Sequence, residues 1–576
     1  MLLPPRARSA PRPALRGWWV ALAVAGLLGG SAAALEPPPP SLDFPSNRPL
    51  DVSDPLPEET ARDPLALPPI PAPHWSSLPA TLRVFVAEIA VEGNSVLPEE
   101  VVAGAVALYV GRELDTADLE ALRESLQRVY LDSGYVNTRV VLPDQDLEGG
   151  VLRLRVVEGR LSKVIVTGNH SYRDVYFVER LRGAPDRPLD AFEIERRLRA
   201  LQAEPGIEET HATLEPGDRP DEAVLRVAVV ESSRLRASLD YGNMLNPAIG
   251  EQVGHIAASV RNPLGLGDVL VGGFGISEGL KDVALGYVIH APRSDTRLQL
   301  DFRWSKVRII EESLEALDIE SRYLMAAIDL AQPLWLGENS GLVAGVRAEW
   351  RQSRSTVLGF PFAFSDAADE GRVSDSVLRF YQEWRTRTRH QAIAVRSTWS
   401  VGLDVLGATS GPTDTAEFAA WLGQLQWLYR FEDSGLELRL RGNVQLALDP
   451  LLPFERYSVG GVTSVRGYRE NLLIRDNGYS MGLTAILPLR RDANGRNQLA
   501  AGPFVDFGRS WNHGRGGTQG PQNLASVGAV ALWSPRSWLR FELAYGAQLL
   551  DVTAPGEQGI QDHGVAFRVF ASVPAD

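Results

Sequence analysis

The sequence contains no cysteine, so the chain can form neither disulfides nor cysteine-ligated zinc sites, and it has no thiolate for catalysis. Lysine is almost as scarce, because only Lys163, Lys281 and Lys306 accompany the many arginines. No uncharged apolar run reaches the roughly 20 residues that a membrane-spanning helix requires. If this chain lies in a membrane, it must therefore cross it as a barrel.

Charge and motif content exclude several further classes of protein. A formal net charge of −14 with no basic stripe argues against a protein that binds nucleic-acid phosphates. The eight histidines form no i,i+4 pair, and there is no GxxxxGK[ST] loop, so neither a metal nor a nucleotide or other cofactor is expected. The length of 576 residues suggests three or four domains.

The first 34 residues have the features of a secretory signal peptide. Arginines within residues 6–16 precede the apolar run WWVALAVAGLLGG, and Ala32-Ala33-Ala34 offers an A-x-A cleavage site. Residues 35–82 are rich in proline, which fixes φ and removes a hydrogen-bond donor. We expect an extended linker here, with a partner-binding polyproline segment as the alternative.

Residues 83–158 and 159–233 are predicted to form two similar modules. A β-run ending in Gly-Asn occurs twice, in VEGNSVL and VTGNHSY, which places Gly93 and Gly168 75 residues apart. Each module reads strand-helix-helix-strand-strand, and Asp115 with Asp118 at N3 predicts the start of a helix. The pattern indicates an α+β domain whose sheet edge is open to another strand.

From residue 234 to 576 the sequence alternates between apolar and polar residues. In RLQLDFRWS (297–305) every second residue is apolar, as in a strand with one wet face. The strands exceed the usual five or six residues and carry many arginines, which favours a 16-stranded transmembrane β-barrel with an arginine-lined lumen over a soluble sandwich. We count sixteen such segments, starting near residues 234, 254, 268, 283, 297, 320, 340, 376, 390, 416, 435, 478, 497, 523, 537 and 563.

The long loop 447–477, between the eleventh and twelfth strands, contains SVRGYRE (464–470). Its apolar beginning, LLPFERYSVGG, predicts that it folds into the lumen, where a charge needs a partner. The thirteenth strand, GPFVDFG, directs Asp506 inward. We expect Arg466 to pair with Asp506, Gly467 to permit close backbone approach and Tyr468 to pack against the wall. The alternative is an exposed loop arginine and an ordinary lumen aspartate.

These residues also carry a family resemblance. GGVTSVRGY followed by FVDFG resembles the VRGY loop motif and F-x-D-x-G strand motif of the outer-membrane superfamily that contains barrel-assembly insertases and two-partner secretion transporters. The two modules resemble POTRA domains, and residues 134–159 and 262–268 (NPLGLGD) are similar to segments of the ShlB/FhaC/HecB transporters. The resemblance implies that the lumen loop and strand motifs comprise Val465, Arg466, Gly467, Tyr468, Phe504, Asp506 and Gly508.

The resemblance implies a mainly β protein of the outer membrane of a Gram-negative bacterium. The expected order is signal peptide 1–34, periplasmic linker 35–82, POTRA 1 at 83–158, POTRA 2 at 159–233 and barrel 234–576. The expected function is to recognise a cognate secreted exoprotein, such as a haemolysin or adhesin, through the POTRA domains and to export it unfolded. The expected partners are this client and outer-membrane lipid, and we expect a monomer. The alternatives are an insertase for other barrels, which usually has more POTRA domains, and a passive porin.

An enzyme is the remaining alternative, because GYSMG (478–482) matches the G-x-S-x-G nucleophile motif. That motif requires a strand-turn-helix context, whereas here it begins a predicted barrel strand. We therefore expect no catalytic residues.

Overall fold

The computed structural model describes residues 65–66 and 83–573, with gaps at 147, 184–186, 203, 205, 292–293, 338, 413, 493–496, 515–517 and 553–558. The predicted signal peptide and nearly all of the predicted linker lie outside the described residues. Two linker residues, Leu65–Ala66, form the short strand β1. Among the described residues, no helix combines the length and apolar character needed to cross a bilayer.

The first module folds around two helices and two small sheets. Helix α2 starts at the predicted N-cap Asp115, which forms a capping box with Asp118. Strand β4 lies between the two helices in sequence and pairs with β2. The sequence pattern does not predict it. The other sheet has the order β3-β6-β5. The elements are β2 (Arg83–Val86), β3 (Glu88–Glu92), α1 (Glu99–Val106), β4 (Arg112–Asp115), α2 (Thr116–Asp132), β5 (Arg139–Val141) and β6 (Val151–Val157).

The second module repeats this design with one larger sheet. Ile194, Leu198 and Leu201 are buried against the sheet, as their helical spacing predicts. The sheet has the order β1-β8-β9-β7, in which β1 pairs in parallel with Ala212 and Thr213. The elements are β7 (Arg160–Thr167), α3 (Asp174–Leu181), α4 (Ala191–Gln202), β8 (Ile207–Pro216) and β9 (Glu222–Glu231).

The repeated Gly-Asn pairs form equivalent turns. Gly93 has φ of 85° and Gly168 has φ of 83°, and a β-carbon at either would collide with a carbonyl of the module's last strand. Glu158 and Glu231, at the ends of those strands, accept hydrogen bonds from the turn that follows each glycine. Burial opposes the ionised form of Glu231, but hydrogen bonds from Ser171 and the adjacent backbone outweigh it and lower the pKa of Glu231.

The rest of the chain closes into the predicted sixteen-stranded antiparallel barrel, and the first strand pairs with the last. An additional two-residue strand, β17 (Phe360–Pro361), extends one hairpin. The wall strands are β10 (Leu235–Gly242), β11 (Val253–Arg261), β12 (Val269–Ile276), β13 (Leu280–His290), β14 (Arg297–Arg308), β15 (Glu320–Leu336), β16 (Ser340–Val357), β18 (Arg372–Arg387), β19 (Gln391–Leu403), β20 (Ala419–Arg430), β21 (Glu437–Ala447), β24 (Asn477–Arg491), β25 (Asn497–Trp511), β26 (Asn523–Arg536), β27 (Leu539–Gln548) and β28 (Val565–Val573).

Alternation along each strand separates a polar interior from an apolar exterior. On β14, Arg303 is buried inside, whereas Leu300 and Phe302 are exposed outside. Strand lengths range from 8 residues in β10 to 18 in β16, so several strands exceed the predicted ten. We call the end where the second module attaches the module end, and the opposite end, where residues 448–476 leave the wall, the loop end.

The second module contacts the module end of the barrel through the turn NPLGLGD. The backbone N–H of Arg173 donates to the carbonyl of Gly265 at 3.0 Å. Arg180, on α3, forms an ion pair with Asp295 in the next turn at that end, with Nη1 and Oδ1 2.9 Å apart. These contacts hold the second module against the module end of the barrel.

Candidate functional site

Residues 448–476 leave the loop end and fold back into the lumen, as their apolar beginning predicts. The segment contains a two-stranded ribbon, β22 (Tyr457–Val459) and β23 (Leu473–Arg475). Most of its side chains are buried, including those of residues 464–470. Its apolar cluster comprises Tyr457, Val459, Val465, Tyr468 and Leu473 with Leu524 of the wall. The loop therefore has its own packed core inside the barrel.

Arg466 and Asp506 are in direct contact, and we call this pair the first clasp. Arg466 Nε donates to Asp506 Oδ2 at 2.7 Å, and Nη2 donates to Oδ1 at 2.8 Å. The Arg466 backbone N–H also donates to Oδ2, at 3.0 Å. The guanidinium lies over the ring of Phe504, 3.6 Å from its centroid, and donates to the hydroxyl of Thr484. This bidentate geometry fixes both the position and the orientation of the loop.

Gly467 and Tyr468 bring the loop against the last strands of the wall. Gly467 has φ of 95°, and a β-carbon there would lie 2.6 Å from the carbonyl oxygen of Gly546. Both the backbone angle and the close approach therefore require glycine. The hydroxyl of Tyr468 is within hydrogen-bond distance of the carbonyls of Ala525 and Leu550, at 2.9 and 2.8 Å.

The remaining motif residues shape the wall beneath the first clasp. Phe504 is buried under the guanidinium of Arg466. Val465 is also buried, and it packs where the wall residue Gly508 has no side chain. A β-carbon at Gly508 would lie 2.9 Å from Val465 Cγ2 and 2.5 Å from Val459 Cγ1. The structure thus brings all seven motif residues to one site.

A second guanidinium at this site, that of Arg441, was not identified from the sequence. Its Nη2 lies 3.3 Å from Asp506 Oδ2, and it donates to the loop carbonyls of Val462 and Ser464 at 2.6 and 3.1 Å. Strand register places Arg441, Gly482 and Asp506 in one row. Because Gly482 has no side chain, Arg441 can reach across it to Asp506. The sequence feature that could have indicated this contact is Gly482, a glycine at a lumen-facing position between two charged ones.

A second clasp, also unpredicted, joins Glu455 of the loop to Arg351 and Arg379 of the wall. Arg379 Nη1 lies 3.0 Å from Glu455 Oε2, and Arg351 bonds the other carboxylate oxygen. Arg351 also donates to the carbonyl of Phe454 at 3.2 Å. Gln445 donates to the carbonyl of Glu455 at 2.7 Å. The loop is thus held at two separate points.

The lumen wall differs from the predicted arginine lining, because carboxylates stand beside the arginines. Removing a charge from water is costly unless an opposite charge is near, and here strands that are adjacent or one strand apart supply it. The wall pairs are Arg303–Asp282 at 2.8 Å, Arg347–Asp301 at 2.6 Å and Arg351–Asp375 at 2.5 Å. An open cavity remains beside the loop, lined by residues that include Arg297, Asp301, Arg347 and Glu349.

The G-x-S-x-G motif lies on a continuous strand, β24, without the turn and helix that a nucleophile elbow requires. Ser480 faces the loop, with its hydroxyl 2.8 Å from that of Tyr457. In the described part of the chain, no group of three or more histidine, aspartate or glutamate residues could hold a metal ion. The arrangement places a folded loop inside the barrel lumen.

Sequence comparison with protein families gives two matches. Residues 84–159 match the POTRA domain of ShlB type. Residues 221–531 match the family described as haemolysin secretion/activation protein ShlB/FhaC/HecB. The second match covers more than half of the chain and includes both members of the first clasp.

Individual proteins and solved structures give similar results. The outer membrane transporter CdiB of Escherichia coli is 27% identical over 245 residues, so the match spans 41% of this chain and only 40% of that protein. The structure of CdiB from Escherichia coli aligns with a TM-score of 0.63 at 18% identity, covering 87% of this chain and 92% of that one. The structure of BamA from Haemophilus ducreyi, lacking POTRA domains 1–3, aligns with a TM-score of 0.55 at 13% identity. This alignment covers 85% of this chain and 100% of that one. At such identities the structural matches establish the fold.

Proposed function

Since the chain belongs to the haemolysin secretion/activation protein family ShlB/FhaC/HecB, we propose that it recognises one cognate exoprotein through its POTRA domains and exports it unfolded to the cell surface. It is an outer-membrane protein of a Gram-negative bacterium, and its POTRA domains lie in the periplasm. The module end of the barrel therefore faces the periplasm, and the loop end faces the cell surface.

The observation that supports export most directly is the way in which residues 448–476 fill the lumen. This segment is connected to the wall at its two ends and is otherwise held by ion pairs, hydrogen bonds and side-chain packing. Such contacts can be exchanged for water or for a client, whereas breaking the wall would require separating whole strands. Displacement of the loop is the opening step that we propose.

The edge of β8 in the second module is the site that we propose for client recognition. Strand β1 covers this edge at Ala212 and Thr213, although β8 is ten residues long. The edge therefore already accepts an extended segment of the chain itself. Addition of a client strand would supply backbone hydrogen bonds without requiring one particular sequence. A client bound there would be held on the module that contacts the barrel through Arg173 and Gly265.

The decisive experiment compares secretion of a large exoprotein encoded beside this chain in cells that have or lack the protein. We expect the exoprotein to reach the medium or the cell surface only when the protein is present. If its secretion is unchanged, the proposal is wrong. Loss of other outer-membrane barrels in the deletion strain would instead favour the insertase alternative.

A further inference from the structure

Five consecutive wall strands carry a basic residue at the same register position near the loop end. Each of these residues lies directly opposite the next one across the sheet. The row includes two of the three lysines in the chain. We call it the outer basic row, and it consists of Lys281, Lys306, Arg322, Arg354 and Arg372.

The outer basic row faces away from the lumen. On β14, Lys306 shares its face with the exposed Leu300 and Phe302, and on β15 Arg322 shares its face with the exposed Ile328. The intervening residues, such as Arg303, are buried inside. These five cations are therefore not part of the lumen ion pairs described above.

The height of the row places it at the surface of the bilayer. Between Arg322 and Gln332, the outward positions of β15 carry only Leu324, Ala326, Ile328 and Leu330. These ten residues span about 33 Å along the strand, or about 25 Å along the membrane normal for a strand tilted by about 40°, which matches the apolar band of outer-membrane barrels. Arg322 thus lies at the headgroup level of the outer leaflet.

Much of the positive charge in the row has no protein partner. Lys306 pairs with Glu320 at 2.7 Å, and Arg372 lies 3.5 Å from Asp369. Within the described ranges, no ion pair joins Arg322 or Arg354 to a carboxylate, although the two stand opposite each other on β15 and β16. Like charges directly opposite each other destabilise a sheet. An external anion would remove that repulsion.

The row occupies one sector of the barrel. Near the loop end of other strands the outward residues include Ile276, Leu403 and Leu446. The outward Arg509 on β25 is isolated, because its cross-strand partners are Tyr479 and Asn523. A general preference for basic residues at the bilayer surface would distribute them around the barrel. The concentration on five neighbouring strands, β13 to β18, indicates a localised ligand.

We propose that the outer basic row binds the phosphate groups of an anionic glycolipid in the outer leaflet. Guanidinium groups bind phosphate oxygens in pairs, and neighbouring strands about 4.8 Å apart place the five cations over about 19 Å. This span can contact more than one phosphate of a lipid headgroup. The site is independent of export, because it lies on the opposite face of the wall from both clasps.

The test is a lipid titration of the full-length protein in detergent, followed by native mass spectrometry. The probes are bisphosphorylated lipid A, the same lipid without phosphates, and inorganic phosphate as a competitor. We expect Arg322→Gln with Arg354→Gln to raise the apparent Kd for the bisphosphorylated lipid about 10-fold. Binding of the dephosphorylated lipid should be weak and equal for both proteins.

The matched control is Arg490→Gln with Arg491→Gln, which removes two exposed arginines at the module end of β24. This variant should bind the bisphosphorylated lipid within about 2-fold of the unaltered protein. Heat-modifiable migration in electrophoresis verifies that each barrel is folded. Equal binding by the Arg322/Arg354 variant, equal loss in the control, or displacement of the lipid by inorganic phosphate at equal concentration would overturn the proposal.

Discussion

The two clasps hold the same loop with opposite polarity. In the first clasp, the loop supplies the cation, Arg466, and the wall supplies the anion, Asp506. In the second clasp, the loop supplies the anion, Glu455, and the wall supplies the cations, Arg351 and Arg379. Both are buried, so each charge depends on its neighbours rather than on water.

The neighbours differ, and they determine how each clasp responds to loss of one member. Arg351 and Arg379 also face two wall carboxylates, Glu349 and Asp375, so the wall remains neutral without Glu455. Among the described residues, Asp506 is the only carboxylate within ion-pair distance of Arg441 or Arg466. The charge balance of the first clasp therefore depends on Asp506 alone. In the second clasp, wall carboxylates still balance the two arginines when Glu455 is lost.

Replacing Asp506 by asparagine should have the largest effect. The change keeps the shape of the side chain but leaves the guanidiniums of Arg441 and Arg466 without a carboxylate within ion-pair distance. We expect the free energy needed to displace the loop to fall by about 3–5 kcal/mol. Planar-bilayer recordings should show frequent large openings. Client secretion should be nearly lost, because a loop without its ion pair has no fixed position and can itself obstruct the path of the client. If the variant channel opens no more often than that of the unaltered protein, the first clasp does not depend on Asp506.

Arg466→Ala should have the next largest effect, because Asp506 keeps Arg441 as a partner. We expect loop displacement to become easier by about 1.5–3 kcal/mol, the value of charged hydrogen bonds. Client secretion should fall while the barrel stays inserted and heat-modifiable. The charge swap Arg466→Asp with Asp506→Arg should restore part of the secretion. Normal secretion by the single variant would remove the proposed role of the first clasp.

Glu455→Gln should have a smaller effect than Arg466→Ala. The wall arginines keep their carboxylates, and Gln445 still donates to the backbone of residue 455. We expect a change of about 1–2 kcal/mol, seen as a modest increase in channel openings. An effect larger than that of Arg466→Ala would reverse the order of the two clasps.

Tyr468→Phe should have the smallest effect. It removes one hydroxyl next to the carbonyls of Ala525 and Leu550 but keeps the buried ring. We expect a loss of about 0.5–1.5 kcal/mol in the stability of the closed loop, with secretion close to normal. The measurement is the same bilayer recording, and openings as frequent as in Arg466→Ala would show that the hydrogen bonds of the Tyr468 hydroxyl hold the loop as strongly as the Arg466 ion pair does.

Much of the barrel could be predicted from the sequence because strand periodicity is a local property. The segments near residues 297, 320, 340 and 497 begin within one residue of β14, β15, β16 and β25. Strand β4 was missed, since its four residues lie between two helices and are too few to show alternation. Local pattern therefore identifies long strands and loses short ones.

The two clasps show that local sequence pattern is also a limited guide to contacts between residues far apart in the chain. Arg466 was identifiable because glycine and tyrosine follow it and an aspartate occupies an inward position of a nearby strand. Arg441 and Glu455 were not, because their partners depend on which wall residues the register places beside the loop. Glu455 lies in the apolar sequence LLPFERYSVGG, where a single carboxylate gives no indication of two arginines 76 and 104 positions earlier.

The pairing of Leu65–Ala66 with β8 has a consequence for selectivity. If clients add to this edge, each must displace a segment tethered to the same molecule, which competes at the effective concentration that its tether sets. Polypeptides that bind more weakly than this tethered competitor would rarely hold the edge. The linker would thus set an affinity threshold that excludes unfolded bystanders and admits a client with a longer or better-matched strand.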